Sequence, residues 1–180
     1  MEAIRGAAGR GLRVRCVVAL ALAAVLAGCG AGAAPALVSA RGFPLGDLTI
    51  SHGSQQRLAL TVELATNRKA WEKGLMGVKN LPADQGMAFV FGQQVADGFW
   101  MKDTLIPLDI AFADAQGRVV DVQNMVPCKA DPCQIYYAAQ PYSLALEVRS
   151  GALTAAGVHA GDVVVLKRRG SPSPSPSPSG

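Results

Sequence analysis

The chain has 180 residues, of which 50% are hydrophobic and 17% are charged, and its formal net charge is +4. Residues 1–28 hold four arginines and one glutamate, so the chain beyond them keeps 13 basic and 12 acidic residues. A nearly neutral chain has no extended basic surface, which excludes most nucleic-acid-binding proteins, and we expect no nucleic-acid partner.

The N-terminus has the three parts of a bacterial lipoprotein signal. Four arginines lie within residues 5–15, and residues 14–26 are apolar apart from Arg15. This apolar run is too short for a permanent span, which needs about 20 residues. The series Leu26-Ala27-Gly28-Cys29 then resembles the lipobox of lipoproteins.

The lipobox resemblance implies that Cys29 is lipidated and becomes the new N-terminus, with palmitate among its acyl chains. Two acyl chains make a stable anchor. We therefore expect an extracytoplasmic protein held on the bacterial membrane by its N-terminal lipid. An ordinary secretory signal with a chance cysteine is the alternative.

The composition divides the chain into four segments. Residues 1–28 are the signal, and 29–41 contain the lipidated cysteine and an Ala/Gly/Pro-rich tether. Such a tether reaches about 20 Å from the membrane. Residues 42–169 form one domain, which is near the commonest domain size. Residues 170–180 are a Ser-Pro tail that cannot bury apolar surface, so we expect it to be disordered.

Short apolar runs predict a mainly β domain. Seven strands are predicted, and they cover, in chain order, 58–64, 87–91, 98–104, 108–113, 118–125, 142–148 and 162–166. One helix is predicted over 66–76, with Thr66 as its N-cap and Gly77 at the position following its end. About seven strands with one or two short helices favour a small β-sandwich or barrel.

Three segments resemble domain-of-unknown-function family 192. They are Gly74-Leu75-Met76-Gly77, the run from Leu81 to Phe91, and the run from Phe99 to Phe112. Shorter motifs follow them in the order that the family has, namely Pro127-Cys128, Tyr136, Leu146-Glu147-Val148 and Gly161-Asp162. The resemblance extends over about residues 57–166. It implies a compact, mostly β domain of secreted and lipid-anchored bacterial proteins, without an established activity. The family usually has Asn where this chain has Asp103, and often Arg near Val78.

Polar and aromatic residues in or beside these motifs are candidate ligand contacts. The six candidates are Asp84, Trp100, Lys102, Asp103, Asp109 and Glu147. On a strand, Trp100, Lys102 and Thr104 share one face, which suits a sugar or peptide ligand. Purely structural roles are the alternative. In that case Trp100 belongs to the core, Asp109 caps backbone donors at a bend, and Glu147 pairs with Lys102 or an amide.

The sequence does not contain the usual enzyme motifs. It has no Gly-x-Ser-x-Gly elbow, no phosphate-binding loop, and only two histidines, His52 and His159, which are far apart in sequence. The scattered methionines favour core packing over a copper site. We therefore expect no catalytic residue, metal or cofactor, and predict a non-catalytic module that binds a glycan, peptide or envelope protein. An envelope hydrolase or transferase using Asp/Glu and Lys102 is the alternative.

Cys128 and Cys133 are predicted to form a disulfide. Export places them in an oxidising compartment, and the other two cysteines are Cys16 in the signal and the lipidated Cys29. A redox or metal pair is the competing interpretation, although redox motifs usually have two intervening residues.

Overall fold

The computed structural model describes residues 38–170, which contain nine strands and two short helices. The elements are β1 Leu45–His52, β2 Gln55–Ala65, α1 Arg68–Lys73, β3 Gln85–Val95, β4 Phe99–Trp100, β5 Leu108–Ala113, β6 Val119–Met125, β7 Ile135–Tyr136, β8 Tyr142–Arg149, α2 Ala152–Ala155 and β9 Val163–Arg168. The predicted lipid anchor at Cys29 and the Ser-Pro tail lie outside the described residues. Within 38–170, neither helix is long and apolar enough to cross a bilayer.

Seven of the strands form one sheet in the order β6-β5-β8-β3-β2-β1-β9. Neighbouring strands are antiparallel except for β2 and β3, which are parallel. Parallel neighbours need a long crossover, and here the crossover contains α1 and the loop that follows it. Strands β4 and β7 form a separate two-stranded ribbon.

The sheet curls until its two edge strands approach each other. Arg118, just before β6, forms an isolated antiparallel bridge with Val163 of β9. The Val164 N–H also donates to the Gly117 carbonyl at 2.7 Å. The mainly β prediction is therefore confirmed. The sheet is not a closed barrel, because the edges share this bridge rather than a full ladder.

Each face of the sheet carries its own apolar core. The inner core contains the large buried side chains Leu48, Ile50 and Leu146 together with Leu153 of α2. The outer core is rich in aromatic residues and methionine, and its members include Met87, Phe89, Met101, Phe112, Met125 and Tyr142. Burial of three methionines in the outer core agrees with their expected packing role.

The helix prediction was too long at both ends. Helix α1 covers Arg68–Lys73, and its N-cap is Asn67, whose side chain accepts from the Ala70 N–H at 3.0 Å. Gly74 ends the helix with a φ of +42°. Three elements were missed altogether, namely β1, the short β7 and α2.

The predicted disulfide between Cys128 and Cys133 is confirmed, with a Cα–Cα distance of 5.4 Å. The small loop that it closes packs against the chain after β4, where the Cys128 N–H donates to the Met101 carbonyl at 3.3 Å. Asp131 lies within this loop and its carboxylate is 3.1 Å from the Lys102 ammonium.

Candidate functional site

Glu147 is a carboxyl group buried in apolar surroundings on the outer face of the sheet. It lies on the central strand β8, between Met87 of β3 and Ile110 of β5. Both neighbours are fully buried, and Glu147 itself is only 4% exposed. Its side chain therefore sits under the outer core rather than at the rim of the sheet.

A narrow cleft opens above Glu147. The cleft has a volume of about 30 Å³, which is enough for about one water molecule or a group of similar size. The lining comes from the end of α1 and the loop after it, from β3, from β4 and from the turn that follows β4. Besides Glu147, the principal lining residues are Trp71, Gly74, Phe89, Phe99, Trp100 and Thr104.

The loop after α1 is held in place over the cleft by hydrogen bonds that its backbone groups form. Arg41 donates to the Gly74 carbonyl and forms a 2.6 Å ion pair with Glu63 of β2. The Gly77 N–H donates to the Asp103 carbonyl at 2.9 Å. A side chain at position 74 would bring its Cβ within 3.3 Å of Phe89. The Gly74-Leu75-Met76-Gly77 motif thus forms a fixed wall of the cleft.

Trp71 fastens α1 to the end of β2. Its indole N–H donates to the Ala65 carbonyl at 2.9 Å, and its ring lies 4.8 Å from that of Phe91. Phe89 and Phe99 meet edge to face at 4.9 Å. Four aromatic residues therefore line the cleft, beside Glu72, Lys73, Leu75 and Met76, and contacts between aromatic rings hold part of its wall in place.

The Glu147 carboxyl accepts or donates no hydrogen bond within residues 38–170. Burial raises the pKa of Glu147 to about 8, and the more distant positive charge of Arg41 opposes that rise. Other buried carboxylates are differently placed. Asp109 accepts from the Asn124 amide at 2.8 Å and from the Leu153 N–H at 3.1 Å.

Two of the six predicted contacts, Trp100 and Glu147, line this cleft. Trp100 is 48% exposed, so it is not a core residue. Lys102 points instead toward Asp131, at 3.1 Å, and its ammonium lies 5.8 Å from the centre of the Trp100 ring. The predicted strand over 98–104 ends at Trp100, which is why these side chains do not share a strand face.

The other three predicted contacts lie elsewhere. Asp103 adopts a φ of +55° in the turn after β4, where its carbonyl holds the Gly77 N–H. Asp109 is buried under α2 on the inner face of the sheet. Asp84 is exposed at the start of β3, and its carbonyl accepts from the Thr61 N–H at 2.9 Å.

Trp71, Phe99 and Thr104 line the cleft but were not among the predicted contacts. Phe99 and Thr104 lie within the quoted family motifs, so those motifs were the available signal. Trp71 lies within the predicted helix, and no local pattern distinguishes a wall of a cleft from an ordinary core position.

His52 and His159, far apart in sequence, meet at the buried Asp162. His52 Nδ1 is 2.9 Å from one Asp162 oxygen, and the His159 N–H donates to the other at 3.1 Å. The guanidinium of Arg57 lies 3.1 Å from the same carboxylate and 3.2 Å from His159 Nε2. Because Arg57 occupies two of the groups that a metal would need, we interpret this cluster as structural.

Comparison with known proteins gives a family but no activity. Residues 49–166 match the DUF192 family, described as uncharacterized ACR. A Novosphingobium aromaticivorans protein of unknown function is 32% identical, with a TM-score of 0.67, and the match covers 74% of this chain and 94% of that one. A candidate transcription regulator from Sinorhizobium meliloti is 30% identical, with a TM-score of 0.64 and coverage of 69% and 95%. No curated protein matches. The chain therefore belongs to the DUF192 family.

Proposed function

We propose that this protein is a non-catalytic binding module, anchored by lipid outside the cytoplasmic membrane, that takes part of its ligand into the cleft above Glu147. One observation carries the proposal: Glu147 is only 4% exposed, its carboxyl has no hydrogen-bond partner within residues 38–170, and its oxygens, which are not fully enclosed by protein, line the cleft. Burying such a group without a partner is unfavourable by several kcal/mol in most proteins. A ligand that completes its interactions accounts for its presence.

The arrangement of the charged residues favours binding over catalysis. A hydrolase that used paired carboxylates would need two of them facing one substrate, about 5–9.5 Å apart. Asp109 lies on the opposite face of the sheet from Glu147 and is already hydrogen-bonded. Glu72, the other carboxylate at the cleft, is 64% exposed in its side chain and paired with Arg68.

Lys102 does not complete an alternative catalytic pair. It forms an ion pair with Asp131 at 3.1 Å, and it is not among the residues that line the cleft. An envelope hydrolase or transferase remains the second candidate, but it would need Lys102 or a second acid to move to Glu147.

The ligand class follows from the location that the N-terminal signal predicts. Outside the membrane, the available partners are cell-wall glycans, peptides and other envelope proteins. The Sinorhizobium meliloti relative is described as a candidate transcription regulator. A transcription regulator binds DNA, whose backbone phosphates are negatively charged. A cleft with a carboxyl group at its base would not attract them, so we do not extend that role to this chain.

A ligand screen with two matched variants tests the proposal. Cell-wall glycan fragments and peptides are screened by thermal shift on the purified full chain, on Trp100→Ala and on Tyr137→Ala. Tyr137 is 62% exposed, comparable to Trp100, but does not line the cleft. We expect a ligand that stabilises the wild type and Tyr137→Ala but not Trp100→Ala.

Two results would overturn the proposal. The first is a screen without any ligand that depends on Trp100. The second is chemical conversion of a bound compound, measured by mass spectrometry, which would favour the enzyme.

A further inference from the structure

We propose that the group received by the Glu147 cleft is a primary alkylammonium, such as the end of a lysine side chain, which forms an ion pair with the Glu147 carboxylate. The inference rests on the proposed binding function and names the chemistry of its ligand. It is carried by the buried carboxyl, the aromatic walls and the width of the cleft.

The first argument is the missing partner of Glu147. Asp162 is also fully buried, and it is surrounded by Arg57, His52 and the His159 N–H. Glu147 has no such cation or donor among the described residues. A cation that enters from solvent would supply the same type of compensation that Asp162 receives from the protein.

The second argument is the chemistry of the walls. Aromatic rings attract cations over their faces, and Trp is the strongest of them. Trp71 and Trp100 both line the cleft, together with Phe89 and Phe99. Trp100 already has one ammonium, that of Lys102, at 5.8 Å from its ring centre. Aromatic walls above a carboxyl floor suit a cation better than a neutral polar group.

The third argument is size. The cleft has a volume of about 30 Å³, which has room for an ammonium group at the end of an unbranched alkyl chain. A planar guanidinium or a sugar ring needs more width. The walls resist widening, because the Gly74 carbonyl is held by Arg41 and a Cβ at position 74 would lie 3.3 Å from Phe89.

The charged groups around the cleft leave the position beside the Glu147 carboxyl free for an incoming cation. Arg41 is paired with Glu63, and Glu72 is paired with Arg68 at 2.9 Å. Lys73 also lines the cleft, but its ammonium lies over the ring of Phe43, at 5.4 Å, and Phe43 does not line the cleft. None of these groups forms an ion pair with Glu147.

Binding of an ammonium would release a proton. Because burial holds the pKa of Glu147 near 8, the carboxyl is mostly protonated at pH 7. An ammonium, whose own pKa is about 10.4, stays charged. As it binds, Glu147 ionises and its proton passes to solvent. Below the pKa of Glu147, the affinity should therefore increase about tenfold for each unit by which the pH is raised.

The test uses two probes on the purified full chain. Nα-acetyl-L-lysinamide carries the ammonium, and its Nε-acetylated counterpart carries a neutral amide of similar shape. Binding is measured by NMR titration at pH 6.5 and 8.5, with Glu147→Gln as the variant and Asp84→Asn, at an exposed carboxylate that does not line the cleft, as the control. Calorimetry of the wild type in buffers of different ionisation enthalpy measures the proton release without any variant.

We expect the lysine probe to bind the wild type and Asp84→Asn at least tenfold more tightly at pH 8.5 than at pH 6.5. Its binding should disappear in Glu147→Gln, and close to one proton should be released per ligand at pH 7. The neutral probe should not bind.

If the ligand were a neutral amide, the pH dependence, the proton release and the effect of Glu147→Gln would all differ from these expectations. The acetylated probe would then bind best below pH 8, release no proton and still bind Glu147→Gln, since a glutamine amide donates and accepts. That result, or no saturable binding of the lysine probe, overturns the ammonium inference. The proposed function would survive either result if the ligand screen still yields a ligand that depends on Trp100.

Discussion

The Asp109 carboxylate on β5 accepts a hydrogen bond of 3.1 Å from the backbone N–H of Leu153 in α2. Its second oxygen accepts from the Asn124 side chain at 2.8 Å. α2 follows Gly151 and has no side-chain cap of its own. Asp109 therefore satisfies one of the free N–H groups at the start of α2 and joins that helix to the inner face of the sheet.

Replacing Asp109 should destabilise the fold. Asp109→Ala leaves the buried Leu153 N–H without its acceptor and removes one of the three acceptors of the Asn124 amide, so the free energy of unfolding should fall by about 2 to 3 kcal/mol. Asp109→Asn keeps one acceptor and should lose less. Urea denaturation followed by circular dichroism measures both.

Asp84→Ala is the matched control for these variants. The Asp84 side chain is exposed, and its backbone carbonyl, which the substitution keeps, makes the contact with Thr61. Its free energy of unfolding should stay within about 0.5 kcal/mol of wild type. Equal losses in Asp84→Ala and Asp109→Ala would contradict the structural role of Asp109.

The separation of Asp109 from Glu147 shows where sequence reasoning ends. Both were selected as carboxyl groups that lie in or beside the family motifs. In the structure Asp109 is opposite Val148, and Ile110 is opposite Glu147. Adjacent positions of paired strands point to opposite faces. Register alone therefore puts one carboxyl under α2 and the other under the cleft, and the sequence does not specify register.

The fold class was predictable because strands such as β2 and β5 carry clear apolar patterns. Strand β1 was missed because Gly46 occupies one of its inward positions, so only Leu48 and Ile50 remain to give an alternating apolar pattern. It forms only through pairing with β2 and β9 on both sides. Such long-range pairing leaves no local signal.

The turn after β4 depends on the backbone of Asp103. A φ of +55° is uncommon for any residue other than Gly, although Asn and Asp tolerate it best. Asp103→Asn should therefore change the free energy of unfolding by less than about 0.5 kcal/mol. Asp103→Val should cost about 1–3 kcal/mol, because a β-branched side chain is strained there. Denaturation of both variants that gave equal stabilities would contradict this role.

The disulfide supports the loop that carries Asp131. Cys128→Ser with Cys133→Ser should lower the free energy of unfolding by about 2 kcal/mol, since the closed loop is small. In the wild type, alkylation under denaturing, non-reducing conditions followed by intact mass should label neither Cys128 nor Cys133. Labelling of both would show that the pair is not oxidised in the isolated protein.

Membrane attachment should depend on Cys29. Cys29→Ser removes the sulfur that the lipobox resemblance assigns to acylation, so the protein should leave the membrane fraction or keep its signal. Cys16→Ser changes a cysteine within the signal and should leave attachment unchanged. Cell fractionation and the intact mass of the mature chain distinguish these results. Unchanged processing and membrane retention of Cys29→Ser would rule out the lipid anchor.

Glu147 should lower the stability of the protein around neutral pH. Its pKa is about 8 in the folded chain, compared with an ordinary value of 4.5. Between these pH values the unfolded chain loses the Glu147 proton first, so ionisation favours the unfolded state. The contribution of Glu147 to stability is therefore largest below pH 4.5, where the group is protonated in both states, and it is lost as the pH rises to 8.

Glu147→Gln cannot ionise, and it should become more stable than wild type by a few kcal/mol at pH 7. The difference should grow from pH 4.5 and level off above pH 8, as measured by urea denaturation across that range. Glu72→Gln, at an exposed position, should show no such trend. A difference between Glu147→Gln and wild type that did not change with pH would mean that Glu147 titrates normally, and that its carboxyl is not held in the buried, uncompensated state from which the binding site was inferred.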